Sequence, residues 1–283
     1  MADPKVCVSL DGTTVDEMIE EAARANLAGA DMVEVRFDRL FLKKPDVTIS
    51  DEEEGEVVET PPENQWETMD FSEVNIEDSI SSLKEGVPLP VIFTVRPVSE
   101  GGFFPGVDSE RLEVLNKAID SGVSWIDLEL SIEDKTRKDL MEKASSNGCK
   151  IIASKHDING IPNASEIVAM VKDNQESGDI VKFCGNARNH ADALQIVEAA
   201  SELKGNGLSH SLMALNSGGD WARIHAPVLD QSLVYATLQN DFHLSERGLV
   251  NVRDLRDAWT LLASLCLFVS VVVLACDRTG PGV

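Results

Sequence analysis

Lys150-Ile-Ile-Ala-Ser-Lys-His-Asp157 is a β-branched run that closes on three ionisable residues, and Asp179-Ile-Val-Lys-Phe-Cys184 is a second run with a lysine inside it. Short runs of this kind bounded by polar clusters read as strands. The stretch between them, 164–176, carries apolar residues at helical spacing. The alternation continues in both directions. Strand candidates cover 6–10, 32–37, 90–95, 125–130, 150–154, 180–184, 208–215 and 233–238, and helical patterns cover 14–28, 110–120, 133–147, 164–176 and 190–203. Eight strands alternating with helices predict an α/β fold, a (β/α)₈ TIM barrel, in which catalytic groups gather at the C-terminal strand ends. A doubly wound sheet is the structural rival, but no G-x-G-x-x-G follows a strand to support a dinucleotide fold.

Composition narrows the partners. The 283 residues carry 49 acidic and 25 basic side chains, a formal net charge of −24. Such a surface repels phosphate and argues against nucleic acid or an anionic membrane as its ligand. Thirteen acidic and no basic residues lie between Pro45 and Leu83. Residues 45–72, with Pro61-Pro62 and a Glu run, read as an acidic surface insertion in the second βα unit rather than a domain. The five cysteines form no C-x-x-C pair and read as reduced thiols of an intracellular protein. The first residues contain no apolar signal segment, so the expected location is cytoplasmic. From Ala258 to Cys276 nineteen residues carry no charge. They read either as a barrel-closing helix that runs into an apolar tail or as a membrane-spanning anchor. The expected division is a barrel over 1–262 and an apolar C-terminal tail over 263–283.

Barrel interiors favour Val, Ile and Leu, so charges at strand ends need a reason. Glu34 and Arg36 stand two apart and share a strand face. Arg96 closes the third strand, with Glu100 just before Gly101-Gly102; His156 closes the fifth, and Arg223 follows Gly218-Gly219. In so acidic a chain, the convergence of Arg36, Arg96, His156, Lys182 and Arg223 points to an anionic small molecule. Lys182, flanked by Val181 and Phe183, reads as a buried amine able to form a Schiff base with a ketone, with His156 as its proton shuttle. Plainer readings stand beside these: a Glu34–Arg36 ion pair, a capping histidine, and a glycine pair that is either a turn or a phosphate cradle.

Taken in order, Val33-Glu-Val-Arg-Phe-Asp38, Ile92-Phe-Thr-Val-Arg-Pro-Val-Ser-Glu-Gly-Gly102, Ile152-Ala-Ser-Lys-His-Asp157 and Asp179-Ile-Val-Lys182 resemble type I 3-dehydroquinate dehydratase, from about Lys5 to Leu262. Cys7-Val-Ser-Leu10, Leu212-Met213 and the Arg223 loop match more weakly. The resemblance implies a (β/α)₈ barrel, commonly a homodimer, with no metal or organic cofactor. It implies dehydration of 3-dehydroquinate to 3-dehydroshikimate in the shikimate pathway through an imine on Lys182. His156 would be the general acid and base, and Glu100 would orient it. Ser9, Glu34, Arg36 and Arg96 would contact the substrate, Arg223 would hold its carboxylate, Met213 would pack near its ring, and Ser245 would belong to the closing loop. Members usually carry Ser-Ala-Pro-Gly-Gln there; this chain has Ser245-Glu-Arg-Gly-Leu249, with leucine in the glutamine's place. Two alternatives stay open on residues alone. One is a class I aldolase using Lys182 on a phosphorylated sugar; the other is a non-catalytic barrel tethered by its apolar tail.

Overall fold

A computed structural model describes residues 3–45, 48–52, 55–59, 61–240, 244 and 246–276, with backbone only for 48–59 and 265–276. Eight strands, β1 (Lys5–Ser9), β2 (Met32–Arg36), β3 (Val91–Thr94), β4 (Trp125–Glu129), β5 (Lys150–Asp157), β6 (Ile180–Ala187), β7 (His210–Asn216) and β8 (Leu233–Ala236), form one parallel sheet in sequence order. The ends meet because β8 also pairs with β1, from Lys5 opposite Leu233 to Val8 opposite Ala236. Between β7 and β8 there is no ladder; Ser232 N–H donates to His210 O at 2.9 Å and Ser211 Oγ to Leu233 O at 2.7 Å. The expected (β/α)₈ barrel is the observed one.

Eight helices follow the strands: α1 (Val15–Ala28), α2 (Ile76–Gly86), α3 (Asp108–Ser121), α4 (Asp134–Ser146), α5 (Ala164–Asp173), α6 (His190–Leu203), α7 (Gly219–Ile224) and α8 (Val252–Cys276). Their starts follow the sequence chemistry. Thr14 accepts from Glu17 N–H at α1, and Asn163 closes a capping box with Glu166 at α5. The helix α2, which the sequence patterns above do not single out, buries Ile76, Ile80 and Leu83 on one face.

Strand alternation divides the core into two shells. Val33, Val35, Phe93, Ile126 and Leu128 point outward into the helices, as do Val181, Phe183 and Leu212 further round the barrel. Cys7, Met32, Ile92, Ile152, Ile180, Met213 and Tyr235 fill the interior. The acidic segment is more ordered than a bare surface loop. Leu42–Lys43 pairs antiparallel with Glu67–Thr68, and 48–52 pairs with 55–59 as a hairpin. Arg39 anchors this excursion through Glu63 at 2.6 Å.

The last helix is amphipathic only at its start: Val252, Leu255 and Trp259 are buried, while Leu261 is 61% exposed. Among the described residues no helix is long and apolar enough to cross a membrane. The side chains of 265–276, on which the anchor reading falls, lie outside the described residues.

Candidate active site

At the C-terminal strand ends the interior opens into a cavity of about 340 Å³. Ser9, Glu34, Arg36, Arg96, Glu100, His156, Lys182, Met213 and Arg223 all line it. Ser245 lies outside the described residues.

Lys182 stands on β6 at the level of Ser154, its register partner on β5, and is 2% exposed. Its Nζ lies 3.2 Å from both Glu34 Oε1 and Asp127 Oδ2, and 4.1 Å above the centre of the Tyr235 ring. The apolar neighbours expected from sequence, Val181 and Phe183, do not touch it; adjacent strand residues face opposite sides, and both lie in the outer shell. The amine sits instead between two carboxylates and an aromatic face.

Glu34 is the hub of this layer. It accepts from Ser9 Oγ at 2.8 Å and from Thr94 Oγ1 at 3.0 Å, and Arg96 lies 3.5 Å away. Burial pushes its carboxyl up, but Lys182, Arg96 and Arg36 overcome that and hold it down at about 2. The suggested Glu34–Arg36 ion pair is not the arrangement found. Arg36 forks onto Asp38 at 2.9 and 2.7 Å, leaving Glu34 to Lys182 and Arg96.

Arg96 links the acidic layer to the histidine. Its Nη2 donates to Asp127 at 3.1 Å; its Nη1 reaches Ser154 Oγ at 3.2 Å, Glu129 at 3.4 Å and His156 Nδ1 at 2.7 Å. Glu100 Oε2 accepts from the His156 backbone N–H at 3.0 Å and lies 3.3 Å from Nδ1. Ser131 Oγ secures the other Glu100 oxygen at 2.6 Å. The glycines after Glu100 serve this placement: Gly101 has φ +79°, and a Cβ on Gly102 would come within 2.0 Å of Arg96 O. Burial first, then Arg96, Lys182 and Arg36, drive the His156 imidazole well below its ordinary 6.5. The ring is therefore uncharged at neutral pH, as a general base must be.

Across the cavity Arg223 is held, among the described residues, by carbonyls alone. Nε donates to Tyr235 O at 3.0 Å, and Nη1 donates to Ala214 O and Gly219 O, each at 2.6 Å. It has no ion pair among the described residues, so a buried cation faces the cavity beside Met213, Leu215 and Leu249. Gly218-Gly219 forms the turn into α7, with Gly218 at φ +75°. A Cβ on Gly219 would come within 2.4 Å of Ala214 O and 2.9 Å of Gly248 Cα, so the glycines let two loops touch.

Residues 6–265 match the family model described as type I 3-dehydroquinase. The chain belongs to that family. It is 26% identical over 230 residues to the 3-dehydroquinate dehydratase of Methanosarcina acetivorans, covering 80% of this chain and 84% of that one. It is 27% identical over 255 residues to the bifunctional 3-dehydroquinate dehydratase/shikimate dehydrogenase of Arabidopsis thaliana chloroplasts. That match covers 90% of this chain but only 36% of the longer relative. The solved type I 3-dehydroquinate dehydratase of Clostridium difficile superimposes with a TM-score of 0.74 at 24% identity, over 93% of each chain.

Within this 3-dehydroquinase fold the site uses residues that the sequence reading passed over. Asp127 and Glu129 stand two apart on β4, the same signature that flagged Glu34 and Arg36, and both are fully buried. Glu129 is gripped from outside by Arg111 of α3 at 2.6 Å. Ser154 donates a short bond to Asp127. Tyr235, inside an apolar run, gave no signal except its own hydroxyl.

Proposed function

We propose that the chain dehydrates 3-dehydroquinate to 3-dehydroshikimate through an imine on Lys182, with His156 as the general acid and base. The observation that carries this reading is a buried lysine amine at the cavity floor facing an uncharged histidine, with a cationic Arg223 that has no ion pair among the described residues.

In this reading Lys182 lends its ammonium proton to a flanking carboxylate, the free amine adds to the C3 ketone, and that proton leaves with the carbinolamine oxygen as water to give an iminium. The iminium withdraws electrons from C2, so the C2–H bond gives its proton to His156 and its electron pair to the imine system. The C1–O bond then breaks, and the oxygen leaves as water with the proton His156 returns. Hydrolysis frees the enone and restores Lys182 to Glu34 and Asp127. Ser9, Glu34, Arg36 and Arg96 are assigned to the substrate hydroxyls, Arg223 to the carboxylate, Met213 to the ring, and Ser245 to the closing loop. Glu100 orients His156. Leu249 leaves the carboxylate end with an apolar neighbour, so Arg223 carries the anion there.

The catalytic unit in this reading is 1–262, and 263–283 is a separate tail. Sedimentation velocity tests the expected homodimer, and fractionation tests a membrane contact of the tail.

The deciding experiment is the intact mass after incubation with 3-dehydroquinate and borohydride, followed by peptide mapping. A reduced adduct on Lys182 is expected. A folded protein that yields none, or one that cleaves a carbon–carbon bond instead of releasing water, would turn the reading towards a scaffold or an aldolase.

A further inference from the structure

A general base must offer a lone pair, and a neutral imidazole has only one. Nδ1 of His156 has two suitors, Arg96 Nη1 at 2.7 Å and Glu100 Oε2 at 3.3 Å. A guanidinium only donates, so its contact requires the lone pair on Nδ1 and the proton on Nε2. An ionised carboxylate only accepts, so its contact requires the reverse. One neutral ring satisfies one of them at a time, and the shorter contact is the one that leaves Nε2 protonated and unable to act as a base.

The surroundings allow the choice to change. Glu100 is fixed in waiting by Ser131 Oγ and the His156 backbone N–H. Arg96 has other acceptors at hand: Ser154, Asp127, Glu34 and Glu129, the last at a long 3.4 Å. Arg96 also lines the cavity, within reach of a bound molecule. A substrate hydroxyl that accepts from Nη1 competes directly with Nδ1 for the same hydrogen.

We propose that Arg96 gates the tautomer of His156. In the empty site it holds Nδ1 as an acceptor; a substrate hydroxyl draws Nη1 away, Nε2 gives its proton to solvent and becomes the base, and Nδ1 takes a proton from solvent and donates it in a hydrogen bond to Glu100. The ring's charge is unchanged. This inference rests on the dehydratase reading and adds a selectivity rule to it. A ketone without hydroxyls forms the imine on Lys182 but leaves the base protonated at the wrong nitrogen.

The test is ¹⁵N NMR of His156 at neutral pH, which distinguishes protonated from unprotonated ring nitrogens. The probe is quinate, the C3 alcohol of the substrate, which keeps the hydroxyls and carboxylate but cannot form an imine. The free enzyme is expected to show Nε2–H, the quinate-saturated enzyme Nδ1–H, and free Arg96→Met already Nδ1–H. Nδ1–H in the free wild-type enzyme, or an unchanged ring in the saturated one, overturns the gate. If Arg96→Met does not fold, the two wild-type spectra decide. A wild-type protein that neither binds quinate nor turns over 3-dehydroquinate refutes the dehydratase reading instead, and the free wild-type and Arg96→Met spectra still judge the gate.

Discussion

Replacing Lys182 with methionine removes a charge while nearly keeping the side chain's length, so its cost comes from what the lysine leaves behind. Glu34 and Asp127, both buried, each lie 3.2 Å from Nζ. Burial pushes the Glu34 carboxyl up, and Lys182 is the strongest of the cations that hold it at about 2 against an ordinary 4.5. At about 1.4 kcal/mol per tenfold change in acidity, that depression corresponds to about 3 kcal/mol of stability. A depressed carboxyl contributes fully above its unfolded value near 4.5 and loses its contribution as the pH falls from there towards 2. Arg96 remains 3.5 Å from Glu34 and 3.1 Å from Asp127. Lys182→Met is therefore expected to lose about 2 kcal/mol at neutral pH, below the 3 kcal/mol or more of a fully stranded buried charge. The deficit should shrink as the pH falls towards 2, where the wild-type protein also protonates Glu34. Urea unfolding of both proteins across this pH range measures it. Equal stability at neutral pH, or a deficit that does not shrink in acid, would refute the claim that the lysine neutralises the acidic layer.

His156→Ala should still yield the reduced adduct on Lys182 while dehydration falls by about 10²- to 10⁴-fold, read by mass spectrometry and single-turnover kinetics. Because burial and three cations depress His156, the acid limb of the turnover profile should lie below 6.5; a limb at or above that value would contradict the assignment. Tyr235→Phe deletes a buried hydroxyl that has no partner among the described residues and keeps the ring under Nζ. It should raise stability by about 1 kcal/mol with turnover retained, checked by urea unfolding and steady-state rates. Truncation after Leu262 keeps Val252, Leu255 and Trp259 in place, so turnover should survive; a truncated chain that does not fold would make the tail part of the barrel.

The barrel was legible because its signal is repetitive: short runs rich in apolar residues mark all eight strands, and misjudging an end by a residue or two changes nothing in the order. Glu34, Arg36, Arg96, His156 and Lys182 stood out because charge is rare on the inner face of a strand. What remained hidden depends on register. Glu34 meets Lys182 across 148 positions of sequence, and only the closed sheet brings them to one level. Asp127 and Glu129 are harder to single out because carboxylates are common in so acidic a chain, although their spacing is as telling as that of Glu34 and Arg36. The surroundings of Lys182 were misjudged for a related reason. Neighbours in a strand are the residues that face away, so Val181 and Phe183 describe the outer shell. The pairing of 42–43 with 67–68 lay beneath an acidic composition that resembles an unstructured insertion.

Arg223 is clamped by carbonyls of β7, α7 and β8, and its own carbonyl accepts the indole N–H of Trp259 at 3.1 Å. At the other end of the chain, Ser9 on β1 steadies Glu34, and β1 has no second neighbour until β8 arrives. The ribosome must therefore release some 250 residues beyond Ser9 before the pocket has both its acidic floor and its anchored guanidinium. Nascent chains halted earlier, and fragments cut between the strands, are expected to carry Lys182 without a chamber around it.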